Sequence, residues 1–413
     1  MKVLLISAAF PPMRAGEADH ALQLCLRLAE RGETVHVLTM KGCTDTGRLP
    51  FTVHPLMSDW SWTELPRLAR FIKKCNPDAI SLLYSGWIYN DHPMITFVAT
   101  VAKRLFPAVP FVTMLAIEQG SSWRTFMSRV VRKAVKFWAG SKAVDIAFGT
   151  LLRDSDSIIL WSEHHLARFS ALAPGVHRKG LVIPPPPLMR MCPQDNGATR
   201  ERGRAQLGVR GDEFLLAFFG YVVHGKGIET LLKAVQLVSA SIHNVRLVMI
   251  GGGRGSVQAP SGQLAREREI VGYEEKILRY SEQLGITDRV MWLSGYNSDS
   301  DTASMYLYAA DACVLPFDQG VTLSRSSLSA ALAHGIPVIT TRGVHLETPF
   351  QHEVNVFLCP PKDPDALALA ICRVVSSPDL RLKLTEGAGQ LAREWFTWEK
   401  AVTRLMETFQ RGP

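Results

Sequence analysis

Apolar runs of strand length alternate with segments of helix length along almost the whole chain, and this alternation constrains the fold more than any other feature. The clearest helical segment is ADHALQLCLRLAERG, in which apolar residues recur at helical spacing until Gly32. Strands separated by helices indicate βαβ units, a parallel sheet and therefore an α/β fold. The predicted strands are Val3–Ser7, Val35–Thr39, Ala79–Leu83, Pro110–Met114, Ser157–Trp161, Phe214–Phe219, Arg246–Ile250, Val290–Leu293, Ala312–Pro316 and Pro337–Thr340.

A proline-rich stretch and a polar segment interrupt this pattern near the middle of the chain. Leu181–Pro187 reads LVIPPPP, which stiffens the backbone and cannot lie inside a helix, and the charged segment Gln194–Arg204 follows it. With 413 residues and 47% hydrophobic content, the chain is large enough for two cores. We predict two Rossmann-like, doubly wound domains facing a central cleft, at residues 1–190 and 205–385, and a C-terminal helix within 386–413 that packs back on the first domain.

The N-terminal segment MKVLLISAAF has the lysine and the short apolar run of a signal peptide, but the PPMRAG bend and an amphipathic helix follow it at once. We interpret it as a buried parallel strand. No run of about 18 apolar residues occurs, so no transmembrane helix is expected. The seven cysteines include no CxxC pair and are odd in number, which indicates reduced thiols in a cytoplasmic protein.

A serine-rich bend precedes one of the predicted strands of the second half. Ser324, Ser326 and Ser327 are predicted to open a short helix, which Gly335 ends before the strand VITT. The unpaired amides and the dipole at the start of a helix favour an anion there.

A glycine-rich bend follows the first predicted strand of the second half, in FFGYVVHGKG. Gly225 and Gly227 flank Lys226, so a cation lies on a permissive turn. Two bends that favour anions in one half of the chain predict a diphosphate ligand.

Several segments, in this order and spacing, carry a resemblance to a known family: FGYVVHGKGIETLLKAV, VRLVMIGGG, DRVMWLSGY, YAADACVLPF, ALAHGIPVITT and NVFLCPPKDPDALALAI. The chain resembles the retaining nucleotide-sugar glycosyltransferases of the GT-B class, family 4 (group 1). The resemblance implies two Rossmann-like domains, a nucleoside diphosphate-sugar held mainly by the second, and an acceptor on the first. It also implies retention at the anomeric carbon, without a metal or other cofactor.

The resemblance assigns the cations of the donor site. Lys226 lies where the family has a lysine that steadies the leaving diphosphate, and Gly220 ends the preceding strand. The family's arginine is missing, because Tyr221 follows Gly220, and Arg325 at the helix start is the candidate to replace it. The alternatives are a solvated turn lysine at 226 and a surface arginine at 325.

The resemblance also implies two glutamates spaced eight residues apart, and Thr322 and Ala330 occupy those positions here. Asp318 is the nearest substitute and would accept hydrogen bonds from sugar or ribose hydroxyls, or would only cap its turn. Tyr296 lies where the family contacts the nucleobase, with a core tyrosine as the alternative. Together with Gly220, Lys226 and Gly227, the bend residues Ser324, Ser326 and Ser327 complete the predicted donor site.

In the first domain, the family's histidine after the strand that ends at Met114 is absent, and Glu118 is the ionisable side chain close by. We assign Glu118 to the acceptor site, with Arg14 and Glu17. Gly16 matches the family's paired-glycine loop, where backbone approaches the donor phosphate or the acceptor. For Glu17 and His20 a role as base is one interpretation, and helix capping or surface solvation is the favoured one.

The net charge of +8 and the isoelectric point near 9.2 are compatible with nucleotides, membrane surfaces or nucleic acid as partners. The segment Ser121–Lys142 concentrates this charge on one predicted helix face, beside aromatic residues. Such a face suits peripheral contact with an anionic membrane, where a lipid-linked acceptor is met; the alternative is a core helix with a solvated cationic side. No motif for nucleic acid accompanies the charge. The cationic face comprises Arg129, Arg132, Lys133 and Lys136.

These observations predict a metal-independent, retaining hexosyltransferase in the cytoplasm, with possible peripheral attachment at the inner face of the plasma membrane. It would move a sugar from a nucleoside diphosphate-sugar to a saccharide or lipid-linked acceptor. Lys226, Arg325 and Asp318 are its predicted catalytic residues. The alternative is a catalytically weak or inactive nucleotide-sugar-binding protein of the same fold, which the missing histidine and acidic pair favour. An epimerase or phosphorylase of this fold is a further alternative.

Overall fold

The computed structural model describes residues 1–43, 49–116, 133, 137, 147–193, 195, 197–251, 264–293 and 300–411. Within them the chain forms two compact α/β units. The first comprises Met1–Pro184 together with the helix Trp398–Gln410 near the C terminus, and the second extends from Pro185 to Thr397.

The first unit is built on a parallel sheet of seven strands in the order β3-β2-β1-β4-β5-β6-β7. The N-terminal strand lies inside this sheet, pairing Val3 with Val35 on one side and with Ala79 on the other. The prediction of a buried parallel strand at the N terminus is therefore confirmed. The strands are β1 (Lys2–Ile6), β2 (Thr34–Met40), β3 (Thr52–Met57), β4 (Ala79–Tyr84), β5 (Phe111–Leu115), β6 (Ser157–Leu160) and β7 (Gly180–Val182).

Helices connect these strands, and the longest of them, α1, is almost entirely buried. The described helices are α1 (Gly16–Glu30), α2 (Leu65–Cys75), α3 (Val98–Leu105), α4 (Leu151–Asp154), α5 (Glu163–Leu172) and α6 (Val176–Lys179). Short 3-10 helices occur at Trp62–Glu64, Gly86–Tyr89 and Pro93–Phe97.

The second unit has a parallel sheet of six strands in the order β10-β9-β8-β11-β12-β13. The strand order reverses between β8, the first strand of this sheet in the sequence, and β11. Sheets of this kind bind ligands at such a point, beyond the carboxyl ends of their strands. The strands are β8 (Phe214–Phe219), β9 (Val245–Ile250), β10 (Val290–Leu293), β11 (Ala312–Leu315), β12 (Val338–Thr341) and β13 (Phe357–Cys359).

Two helices of this unit begin at a residue whose side chain accepts a hydrogen bond from an amide of the first turn. Asp363 accepts a hydrogen bond from the Ala366 amide at 2.9 Å, and Ser377 accepts one from the Leu380 amide at 3.3 Å. A proline follows each of these residues. The helices are α7 (Ala198–Gln206), α8 (Ile228–Ser241), α9 (Leu264–Gln283), α10 (Thr302–Ala309), α11 (Ser326–Ala333), α12 (Pro364–Ser376) and α13 (Pro378–Trp395), with a 3-10 helix at Thr287–Arg289.

The last helix, α14 (Trp398–Gln410), belongs to the first unit. It packs on α1, where the Arg31 guanidinium donates to the Thr403 hydroxyl at 2.7 Å. Its buried residues Val402, Leu405 and Phe409 join the hydrophobic core of that unit. The first unit therefore contains residues from both the N-terminal and the C-terminal parts of the chain.

The units divide at Pro184 and Pro185, inside the proline run, and not at residue 190 or in the polar segment that follows. Residues of that polar segment instead start α7, whose Arg200 is anchored to Asp311 of the second unit at 2.5 Å. The charged composition of this segment indicated a linker, but its charged side chains instead help to pack α7 against α10.

All seven cysteines are free thiols. None of the helices in the described ranges combines the length and the apolar content that crossing a membrane requires.

Candidate functional site

The two predicted anion-binding bends meet at Gly220, which follows β8 at the carboxyl end of the second sheet. Gly220 has a φ of 133°, and a Cβ added to it would lie 3.7 Å from the Ser327 Cβ and 3.9 Å from the Lys226 Nζ. The serine-rich bend (Ser324–Ser327) and the segment that carries Lys226 (His224–Gly227, called the lysine loop below) are therefore neighbours, with Gly220 between them. The structure brings together residues that lie about a hundred positions apart in the sequence.

Lys226 and Arg325 share one aromatic ring. The Lys226 Nζ lies 5.3 Å from the centroid of the Phe317 ring, and the Arg325 Cζ lies 4.9 Å from it. Phe317 follows β11 and is fully buried. Both cations are half-buried, and neither forms an ion pair with a carboxylate within the described residues.

Burial first, and the charge of Arg325 second, together lower the pKa of Lys226 to about 7. Burial also lowers the pKa of Arg325, against the opposing effect of Glu347. The Arg325 Nε is buried and has no hydrogen-bond partner in the described part of the chain. Two poorly solvated cations that repel each other form a site in which an anion would be stabilised.

Helix α11 points its start toward this pair of cations. Arg325 precedes its first residue, and the amides of Leu328 and Ser329 donate to the Arg325 carbonyl at 2.9 and 3.1 Å. The amides of Ser326 and Ser327 make no hydrogen bond to any described residue, and the Ser327 Oγ is buried without a partner. These donors add the polarity of a helix start to the two cations.

Ser324 does not open this helix, contrary to the prediction. Its hydroxyl lies in the preceding turn and shares a hydrogen bond of 2.8 Å with the Thr322 hydroxyl. The family's two glutamate positions are therefore Thr322, which is tied to Ser324, and Ala330, which is fully buried in α11. Neither position offers a polar side chain to a ligand in the way that a glutamate would.

The lysine loop is tightly fixed at Gly227, which directly precedes α8. Gly227 has a φ of +69°, and a Cβ there would lie 1.8 Å from the Pro316 carbonyl oxygen. Only glycine allows this close approach. The Asp318 amide donates to the Gly225 carbonyl at 3.1 Å, so the loop that follows β11 holds the lysine loop at two points.

Asp318 is half-buried directly after Phe317. Its turn is closed by backbone, because the Gly320 amide donates to the Phe317 carbonyl at 3.0 Å. The Asp318 carboxylate makes no hydrogen bond or ion pair to a described residue, so the alternative of a turn cap receives no support. Its oxygens are able to accept hydrogen bonds from ligand hydroxyls.

In the first unit, Gly16 begins α1 after the half-buried Arg14, and no atom lies within 4 Å of a Cβ added to Gly16. The favoured interpretation of Glu17 and His20 as capping or solvated residues is wrong, because both are buried. The Glu17 carboxylate accepts a hydrogen bond from the Trp87 Nε1 at 2.7 Å. A carboxylate held by an indole on α1 remains a candidate acceptor contact.

His20 lies between two tryptophans, and its ring is 5.0 Å from that of Trp161 and 5.5 Å from that of Trp398. Burial lowers its pKa to about 4, so it is neutral near pH 7. The covering residue Trp398 comes from α14, at the far end of the sequence. Sequence spacing gave no signal for this burial, because the helix that causes it is almost 380 residues away.

Glu118 and Tyr296 lie outside the described residues, as do Arg129, Arg132 and Lys136 of the basic segment. Lys133 and Phe137 are described, and both are helical and exposed. The Phe137 side chain is 91% exposed. No group of three or more His, Cys, Asp or Glu residues that could hold a metal ion occurs in the described ranges.

Neither Phe317 nor Glu347 was identified as a site residue from the sequence. Phe317 follows a predicted strand end, which is a usable signal, but nothing in the spacing shows that two cations share its ring. Glu347 is 5% exposed, and its carboxylate accepts a hydrogen bond from the Leu323 amide ahead of α11. No local pattern distinguishes it from a surface glutamate.

The family model described as "Glycosyl transferases group 1" matches residues 199–391, which fall in the second unit and include Lys226, Phe317 and Arg325. The match covers slightly less than half of the chain. The family expected from the resemblance is thus supported where the candidate donor site lies.

Two curated relatives illustrate the likeness. The chain is 27% identical over 210 residues to an uncharacterized glycosyltransferase of Methanocaldococcus jannaschii, covering 50% of this chain and 47% of that protein. It is 28% identical over 219 residues to the D-inositol 3-phosphate glycosyltransferase of Saccharomonospora viridis, covering 52% of this chain and 46% of that protein. The chain thus spans about half the length of the curated relatives it matches.

The solved structure of Anabaena HepE, in complex with UDP and glucose, shares the fold with a TM-score of 0.71 and 17% identity. The likeness covers 100% of both chains. The predicted α/β fold with two Rossmann-like domains of GT-B type is therefore confirmed.

Proposed function

We propose that the chain transfers a hexose-like sugar from a nucleoside diphosphate-sugar to a saccharide or lipid-linked acceptor, with retention at the anomeric carbon. The observation that carries the proposal is the pair Lys226 and Arg325, two cations over one Phe317 ring beside the free amides of α11. Within the described residues neither cation forms an ion pair with a carboxylate, and two such cations match the charge of a diphosphate. The names of similar proteins, a glycosyltransferase and a protein bound to UDP and glucose, support the same ligand class.

In the proposed reaction, the bond between the anomeric carbon and the diphosphate oxygen breaks while negative charge grows on the leaving group. Lys226, Arg325 and the amides of Ser326 and Ser327 would stabilise that charge. The acceptor hydroxyl would attack from the face that the diphosphate leaves, and its proton would pass to the departing phosphate oxygen. Asp318 would orient the sugar by accepting hydrogen bonds from its hydroxyls.

We infer that no metal ion is needed for this step. The two cationic side chains supply the neutralising charge that a divalent ion supplies in other transferases. Transfer should therefore proceed at the same rate after dialysis against EDTA. A requirement for added Mg²⁺ or Mn²⁺ would contradict this part of the proposal.

A ligand panel and a product analysis test the central proposal. Nucleoside diphosphates and their sugars should raise the melting temperature of the full chain, because a ligand that binds only the folded state stabilises it. With the tightest donor and a saccharide acceptor, the product should keep the anomeric configuration of the donor in an NMR spectrum. Absence of any stabilising nucleotide, or an inverted product, would overturn the assignment.

A second candidate is a nucleotide-sugar-binding protein with weak or no catalysis. Thr322 and Ala330, at the positions of the family's glutamates, favour it, because neither side chain supplies a carboxylate. A donor hydrolysis assay separates the two candidates. Slow release of nucleoside diphosphate in the absence of acceptor is expected of the enzyme, and tight donor binding without any release identifies the binding protein.

We place the reaction in the cytoplasm, with peripheral contact at the inner face of the plasma membrane when the acceptor is lipid-linked. The seven free thiols support a reducing compartment. The exposed side chains of Lys133 and Phe137 support contact with an anionic membrane. Vesicles with phosphatidylglycerol should sediment the protein at low salt, while vesicles of phosphatidylcholine alone should not.

A further inference from the structure

Tyr273 on α9 contacts the chain on both sides of Lys226. Its hydroxyl donates to the Glu229 Oε2 at 2.6 Å, and its ring centroid lies 3.8 Å from that of the His224 ring. His224 comes two residues before Lys226, and Glu229 comes three residues after it. Tyr273 is only 3% exposed, so it is a fixed part of the second unit.

The hydrogen bond between Tyr273 and Glu229 joins a protonated phenol to a charged carboxylate. Burial alone would raise the pKa of Glu229, but hydrogen bonds from Tyr273 and Lys276 bring the pKa below its usual value. Burial, and then the bond to Glu229, raise the pKa of Tyr273. The phenol therefore stays a donor and the carboxylate stays an acceptor throughout the neutral range, which makes this a strong type of hydrogen bond.

Lys276, one turn along α9 from Tyr273, completes this small cluster. Its Nζ lies 3.4 Å from the Glu229 Oε1 and 5.9 Å from the centroid of the Tyr273 ring. Helix α9 thus holds the first turn of α8 by two side chains.

The opposite side of the lysine loop is held by backbone. The Asp318 amide binds the Gly225 carbonyl, and Gly227 lies against Pro316. His224, by contrast, is exposed, and its ring packs on that of Tyr273. Without Tyr273, the residue two positions ahead of Lys226 would lose this ring contact.

We propose that Tyr273 is a positioning residue, which fixes the loop of Lys226 in the conformation that meets the diphosphate. The inference rests on the donor-binding role proposed above for Lys226. A lysine between two glycines has many backbone conformations open to it, and restricting them in the free protein removes an entropic cost from binding. Tyr273 does not touch the ligand in this account and acts only through Lys226.

The test is a double-mutant cycle on ligand affinity in the full chain, with UDP, ADP, GDP and CDP as probes in calorimetry. Tyr273→Phe keeps the ring on His224 and removes the bond to Glu229. It should weaken the tightest probe by about threefold to tenfold, the usual worth of one hydrogen bond. Lys226→Met should weaken it more, and the double variant should bind no more weakly than Lys226→Met alone.

Tyr280→Phe is the matched control, since Tyr280 lies on the same helix and makes no side-chain hydrogen bond to a described residue. It should bind as the wild type does. If Tyr273→Phe does not fold, Glu229→Gln tests the same hydrogen bond from its other end, because it keeps an acceptor oxygen and removes the charge. It should show a smaller loss of affinity in the same direction.

The outcomes separate this inference from the proposed function. If the wild type binds none of the four probes, the proposed function fails and the inference fails with it. If the wild type binds and Tyr273→Phe binds equally well, Tyr273 does not position Lys226, although the donor site stands. If Tyr273→Phe weakens binding by the same factor with and without Lys226, Tyr273 acts on the fold in general and the inference is also wrong.

Discussion

Lys226 combines a cation with a poorly solvated position, so its charge depends on what occupies the site. Burial and the neighbouring Arg325 lower its pKa to about 7, while a bound diphosphate would favour the protonated form. Ligand binding and proton uptake are therefore linked at this residue. Without a bound anion, the positive charges of Lys226 and Arg325 destabilise each other.

Affinity for a nucleoside diphosphate-sugar, whose phosphates do not titrate near neutrality, should consequently fall as pH rises. Lys226 is already charged below its pKa of about 7 and neutral above it. Above pH 7 the affinity should decrease by up to about tenfold per pH unit, because one proton must be taken up on binding. Calorimetry between pH 6 and pH 9 measures this slope, and a flat profile would contradict it.

Lys226→Met supplies the reference for that slope. It should bind the donor about tenfold to a hundredfold more weakly at pH 6.5, as expected for the loss of a charged hydrogen bond, and should show no slope above pH 7. Lys233→Met is the matched control on α8, where Lys233 donates to the Gln236 Oε1 at 2.7 Å, away from Phe317. It should keep both the affinity and the slope of the wild type.

The glycines on either side of Lys226 differ in what surrounds them. Gly227→Ala should destabilise the second unit by about 3 kcal/mol, because positive φ and a clash with the Pro316 carbonyl act together. Gly225→Ala, with a φ of +83° and no atom within 4 Å of the new Cβ, should cost only about 1 kcal/mol. Urea unfolding measures both, and equal costs would show that the Pro316 contact is not tight.

At the scale of elements, the alternation of apolar runs predicted the central strands of both sheets, since buried parallel strands are continuously apolar. Three strands were missed, and all lie at sheet edges. Strand β3 contains Pro55, which only an edge position tolerates, and β7 and β13 are three residues long. Edge strands bury less apolar surface than central strands do. They therefore contain fewer of the apolar residues by which a strand is recognised in a sequence.

The candidate site, too, could be predicted from the sequence only in part. Parallel topology places the carboxyl ends of β8 and β11 together, so the meeting of Gly220, Lys226 and Ser327 followed from motif and topology. The contacts of both cations with the Phe317 ring and the anchoring contacts of Tyr273 could not be predicted in this way, because each depends on the packing of distant elements. The burial of Glu17 and His20 was mispredicted for a related reason.

Helix α14 should contribute strongly to the stability of the first unit. Leu405 is 2% exposed in that core, and Leu405→Ala should cost about 2 to 5 kcal/mol. Hydrogen exchange should show the loss in α1 and leave α8 unchanged. Leu382→Ala on α13, where the side chain is 60% exposed, is the control and should change stability by less than about 0.5 kcal/mol. Equal effects of the two variants would contradict the packing described for α14.

At the scale of the whole molecule, two parallel sheets of different width each build a separate core. The cysteines are spread over both units, and burial raises the pKa of Cys25 and Cys313. The buried thiols are thus inert while the unit that contains them is intact. Their reactivity reports the integrity of the entire chain.

A thiol titration of the native protein should therefore modify Cys75 and Cys372 first, since these are the two that are only half-buried. The other five should react only after denaturation, when all seven become accessible. Ellman's reagent measures the count, and a reducing agent should leave the melting temperature unchanged. Rapid modification of five or more thiols in the native protein would contradict the burial described for them.

The return of α14 to the first unit has a consequence for synthesis on the ribosome. The segment up to Pro184 is translated long before Trp398, so its sheet emerges while the side of α1 that α14 covers is still bare. The described residues of the second unit all precede Trp398, so they are synthesised before the first unit is complete. Nascent chains arrested before α14 should therefore expose the apolar side of α1 that α14 would cover, and a chaperone should bind there.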